Sequence, residues 1–186
     1  MAVYEDLCTA VFQDLPRREA IARTLRELPA KMKQAISDNL AAPTGVAKFP
    51  TGLFHCPTNY VDFYRVAIDQ NGHRTRDRED CESDGVLLED TSGVYNFCIG
   101  ICLEATPGSY SAVMIYFTFL VEEFDENSVT LSIKNLDGQI SISDVHDAAS
   151  YGHAAKVAID RLMEDLRDPT SARGSRAPIG FHARIA

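Results

Sequence analysis

VYNFCIGICLEA at residues 94–105, TPGSYS at 106–111 and AVMIYFTFLV at 112–121 are the stretch that decides the fold of this chain. Two runs rich in β-branched and aromatic residues flank a short turn, which predicts two neighbouring strands. A strand with one face in water alternates apolar and polar side chains. Here Tyr95, Phe97, Ile99, Ile101 and Leu103 fill one face, and Cys98, Gly100 and Cys102 on the other are small but uncharged. In the second run Val113, Ile115, Phe117, Phe119 and Val121 alternate with Met114, Tyr116 and Leu120. Both faces of this hairpin therefore call for cover by helices, a partner chain or a ligand.

Downstream, VTLSIK (129–134) and QISIS (139–143) alternate cleanly on either side of NLDG (135–138), a hairpin turn signal. Their polar faces place this pair toward one edge of the sheet. Upstream, Tyr60–Asp69 reads as a strand and Val86–Glu89 as a short one, separated by a charge-dense loop at 70–85. From about Asp144 to Arg167 a helical stripe of Val145, Ala148, Ala155, Ile159, Leu162 and Leu166 runs until Pro169 ends it. Residues 3–14 predict a short helix with Val3, Leu7, Ala10, Val11 and Leu15 on one side. Pro16 predicts a break, and residues 17–41 a longer amphipathic helix kinked or divided at Pro29. The order is α+β: an antiparallel β-meander of about five to six strands, with N-terminal helices and one long C-terminal helix packed on it. We read residues 1–169 as a single α+β domain, with helices in 1–41, the sheet in 60–143 and a helix in 144–167. Residues 170–186 read as a basic C-terminal tail.

A chain of 186 residues with 45% hydrophobic residues can bury a core without disulfide staples. A net charge of −9 argues against broad nucleic-acid binding, which needs clustered Lys and Arg. Arg17, Arg18, Arg23, Arg26, Lys31 and Lys33 make a locally basic region, but without the aromatic interleaving of single-strand binders. The longest apolar run, Ala112–Val121, is too short to span a bilayer. Five cysteines, an odd count, and the lack of an apolar leader predict free thiols in a cytoplasmic setting.

Chemistry-bearing motifs are sparse. Cys98 and Cys102 lie four apart in a strand, about 13 Å between Cα atoms, too far for a mutual disulfide. His55–Cys56 lacks the signature of a cysteine hydrolase, and DCESDG (80–85) matches only the first half of a calcium loop. His146 and His153 stand two turns apart, beyond the i, i+4 spacing of a zinc helix. No Walker loop, GxGxxG, GxSxG, HExxH or paired CxxC is present. No cofactor or metal is expected, and the balance leans away from an enzyme.

Two functions fit these residues. The first is a non-catalytic interaction or assembly subunit, adaptor, immunity-like or chaperone-like, that binds a protein partner or itself. Its contacts would come from the helices and the C-terminal arm: Arg173, Arg176 and Arg184 for charge, Ile179 and Phe181 as apolar anchors. The second is a small-molecule-binding or enzymatic α+β domain. Its pocket would lie between sheet and C-terminal helix, lined by Asp62, Tyr64, Cys98, Cys102, Tyr116 and His153.

Overall fold

The fold is given by a computed structural model that describes residues 2–44, 59–63, 67–68, 74–75, 88–89, 95–104, 112–134, 136–167 and 180–183. Strands β5 (Tyr95–Glu104) and β6 (Ala112–Phe124) pair antiparallel, from Asn96 opposite Leu120 to Glu104 opposite Ala112. β7 (Val129–Ile133) adds to β6 and β8 (Gln139–Ile142) adds to β7, both antiparallel. This is the meander that the alternation predicts. On the far edge of β5 lie β1 (Val61–Phe63) and β4 (Leu88–Glu89). β9 (Gly180–Ala183) pairs with residues 113–116 of β6, beside the stretch that β7 takes. β2 (Ala67–Ile68) and β3 (Arg74–Thr75) form a small separate ladder.

Local chemistry sets the turns. The Asp125 carboxylate accepts hydrogen bonds from the backbone N–H of Asn127 and of Ser128, both 2.7 Å, and from the Ser128 hydroxyl. Those donors close the β6–β7 turn and hold the Asp125 carboxyl below its ordinary range. In the β7–β8 turn Gly138 adopts φ +91°, a conformation that side chains beyond glycine rarely tolerate.

Period-two alternation puts Phe97, Ile99, Ile101, Ile115, Phe119 and Val121 on one face, continued by Leu131, Ile133, Ile140 and Ile142. These form a single core with Leu25, Leu28, Met32 and Ile36 of α1 (Ala2–Asn39) and Tyr151, Ala154, Ala155, Ala158 and Leu162 of α2 (Ala148–Arg167). Small alanines let the helices approach, and the Asn39 side chain donates to the Gly152 carbonyl at 3.1 Å across that seam.

The structure departs from expectation in several places: β3 lies within the 70–85 segment read as a loop and β9 within the segment read as a tail, and two further departures concern the helices. The N-terminal region is one continuous helix, not two, with Pro16 and Pro29 inside it. An interior proline removes one helical hydrogen bond and costs about 3 kcal/mol in isolation. Burial of Leu25, Leu28, Met32 and Ile36 on both sides of Pro29 outweighs that cost there. Around Pro16 the chain relies on good helix formers such as Leu15, Arg17, Arg18, Glu19 and Ala20. The two helices also share one face of the sheet, so neither supplies the cover that the hairpin calls for on its other face. The other face is partly withdrawn from solvent: Cys102 is buried outside the main core, and Cys98, Thr118 and Leu120 are half-buried.

Candidate functional site

α1 is two things along its length. From Ile21 onward its apolar stripe is the wall of the core. From residue 3 to residue 16 every side chain is exposed except half-buried Cys8 and Asp14. Yet the apolar stripe does not stop. Leu7 and Leu25 are eighteen residues apart, about five turns, so they point the same way. The i, i+4 row Val3, Leu7, Val11, Leu15 continues the core-facing stripe into solvent, with Tyr4 and Phe12 beside it. Val3, Tyr4 and Phe12 are 70% exposed or more, Leu7 and Val11 60%, and Leu15 44%.

Where the body ends is marked by Arg17, whose guanidinium pairs with Glu126 of the β6–β7 turn at 3.1 Å. Arg18 folds back on Asp14 at 2.6 Å. Lys31 pairs with Glu27 and Lys33 with Asp62, so four of the six cations that make this region basic are already matched by carboxylates. Charge along the arm is uneven: Glu5 and Asp6 stand near its start with no cation beside them in the sequence, and Arg17 and Arg18 stand between Asp14 and Glu19 where it meets the body.

A second feature is a cavity of about 260 Å³ between α1 and the start of α2, lined among others by Lys31, Gln34, Asp38, Asn39, His146 and Tyr151. The Lys31 ammonium donates to the Val145 carbonyl at 3.2 Å and lies 5.6 Å from the centre of the Tyr151 ring. Tyr151 is 3% exposed, and its hydroxyl finds no hydrogen-bond partner among the described residues. Burial, then the Glu27 and Asp144 carboxylates, push its pKa up to about 12, so it stays a donor.

The residues predicted to line a pocket are divided by the sheet. Asp62 and Tyr116 both stand opposite Gly100, in the row between Cys98 and Cys102. Cys98 and Cys102 lie on the face turned away from α2, whereas His153 is exposed on α2 itself. Asp62 is engaged structurally, accepting from Lys33 at 3.4 Å, Asn59 at 3.0 Å and the Phe63 backbone N–H at 2.9 Å. Tyr64 lies outside the described residues, as do His55, Cys56, the 80–85 loop and, in the tail, Arg173, Arg176, Ile179 and Arg184. Phe181 stands opposite Ile115, in a strand that joins the chain's own sheet. Among the described residues no three His, Cys, Asp or Glu side chains gather for a metal, and no helix is long and apolar enough to cross a membrane. Tyr4 and Phe12 went unnoticed in the sequence. Their signal is two aromatics eight residues apart, each next in sequence to a member of the Val3, Leu7, Val11, Leu15 row.

The chain matches no known family model, no curated protein and no solved structure.

Proposed function

We propose that this protein is a non-catalytic interaction or assembly subunit that docks through the N-terminal arm of α1. The observation that carries this reading is the exposed stripe of Val3, Tyr4, Leu7, Val11, Phe12 and Leu15. Monomers seldom expose a contiguous apolar patch of more than a few hundred Å² without a binding role. A helix of about fifteen residues without tertiary packing is marginal in water, so a partner that covers the stripe also fixes the helix. This is the helix-in-groove mode of recognition, read from anchors at i, i+3, i+4 and i+7.

The tail residues Arg173, Arg176, Ile179, Phe181 and Arg184 remain a second contact region in this proposal, supported by their charge and apolar content in the sequence. A cytoplasmic setting goes with it, supported by the odd count of five cysteines in the sequence.

The test is a Leu7→Ser/Val11→Ser/Phe12→Ser variant of the full chain, followed by thermal unfolding and by sedimentation. The expected result is an unfolding midpoint within about 2 °C of wild type, because the stripe lies outside the core, with association lost. A midpoint lowered by about 10 °C or more would show that the stripe packs within the fold, and the reading would fall.

The unpartnered Tyr151 hydroxyl favours one further reading, a small ligand with a hydrogen-bond acceptor seated between α1 and α2. A thermal-shift screen of small carboxylates and amides would then show stabilisation that Tyr151→Phe abolishes. No stabilisation by any of them would remove it.

A further inference from the structure

Resting on the docking reading above, we infer that the occupant of the exposed α1 stripe is a second copy of this chain, paired antiparallel and crossing near Val11. Three observations on the arm converge on this partner. The first is symmetry of the apolar row. An antiparallel pair that places Val11 against Val11 also places Leu7 of each copy against Leu15 of the other, so one stripe supplies both halves of a two-fold interface. The same register sets Tyr4 against Arg18, whose guanidinium can lie over an aromatic ring.

The second is charge. Glu5 and Asp6 stand at one end of the arm, and Arg17 and Arg18 at the other; there Glu126 and Asp14 each hold one guanidinium and Glu19 follows, yet Arg17 and Arg18 stay 60% and 75% exposed and open to further carboxylates. Antiparallel pairing brings the acids of each copy beside the cations of the other, on both ends at once. Parallel pairing would set acid on acid and Arg on Arg. The helix dipoles also oppose each other head to tail only in the antiparallel arrangement. A stripe matched to an unrelated partner has no reason to be complementary to itself in this register.

The third is area. Six large apolar side chains at these exposures present on the order of 600 Å² per copy, and flanking charged stems add to it. That approaches the roughly 800 Å² per partner of a standard stable interface. The body stops at Arg17, so a partner helix lying along residues 3–18 meets the other copy's body just beyond the start of α1.

The experiment is sedimentation of the full chain at ~10–100 µM, with thermal unfolding of each variant to verify the fold. Wild type is expected at twice the 20.5 kDa chain mass. Val11→Asp sets two carboxylates face to face and is expected to weaken self-association at least ~100-fold. Glu5→Lys/Asp6→Lys alone and Arg17→Glu/Arg18→Glu alone should each be monomeric, and an equimolar mixture of the two should dimerise again. A monomeric wild type, a dimer untouched by Val11→Asp, or a mixture of charge variants that stays monomeric would each overturn the proposal. The triple Ser variant separates this failure from that of the docking reading. A monomeric wild type whose stability the triple substitution leaves intact keeps the arm as a docking helix for another partner. One that the substitution destabilises removes both.

Discussion

Phe119 and Phe12 are the same side chain in opposite circumstances. Phe119 is fully buried and stacks on Phe97 with ring centres 5.0 Å apart, whereas Phe12 is 70% exposed. Replacement of Phe119 by Ala leaves a cavity in the core shared by sheet and helices. Its expected cost in chemical denaturation is about 3–5 kcal/mol. Phe12→Ala should cost less than about 0.5 kcal/mol, because no described contact is lost from the folded body. Equal losses would mean that the arm is part of the core. Tyr151 adds a test by pH. Its pKa rises from 10.0 to about 12 on folding. A raised value means that the folded state keeps the proton longer, so the stability it confers is whole below pH 10 and is lost as pH climbs through 12. Wild type should therefore lose up to about 2 kcal/mol more than Tyr151→Phe between those limits, seen as a larger fall of its unfolding midpoint. Parallel curves for the two proteins would deny the shift.

At the scale of elements, the hairpin β7–β8 shows how one residue sets a turn. A Cβ on Gly138 would stand 2.9 Å from Arg161 Nη2, and the φ of +91° is itself strained for alanine. Arg161 also donates to the Gln139 carbonyl at 2.8 Å, tying α2 to β8. Gly138→Ala should thus lower stability by about 1–2 kcal/mol, with loss of amide protection in β8 before β5. Retained stability would show that the turn relaxes freely. The elements also show what the sequence could and could not disclose. Alternation is a short-range signal, so Ile99, Phe119, Leu131 and Ile140 announce their face without knowledge of anything else in the chain. Helix α2 was equally legible, because one stripe and Pro169 bound it; its first turn begins later than predicted since Asp144 and Asp147 hold a turn through the N–H groups of His146 and Ala149. The continuity of α1 was not legible. A proline forbids a helix by local rules, and only burial of Leu25 to Ile36 against the sheet overrules it at Pro29. Nor could the pattern separate Leu7 from Leu25. They point the same way, and what divides them is where the sheet ends.

The described residues form a sheet with two helices on one face, and one of those helices runs on past the sheet. The opening hairpin is apolar enough on both faces to ask for cover, and both described helices lie on the same side of it. That outcome was beyond periodicity, which gives a helix its apolar face but not the side of the sheet it will choose. The same limit bears on the candidate pocket: alternation puts Cys98 and Cys102 on one face of β5, and His153 lies across the sheet from them. The charge order along α1, by contrast, can be read without coordinates once the stripe is known to be bare. It is the feature that makes a second copy a fitting partner. The account's central claim is that residues 3–16 serve association and not folding, and amide hydrogen exchange along the full chain at low and high protein concentration tests it most directly. Protection in residues 3–16 should rise with concentration while that of β5 and β6 stays constant. Protection of the arm that is equally strong at every dilution would contradict the claim, because the helix would then be held by its own body.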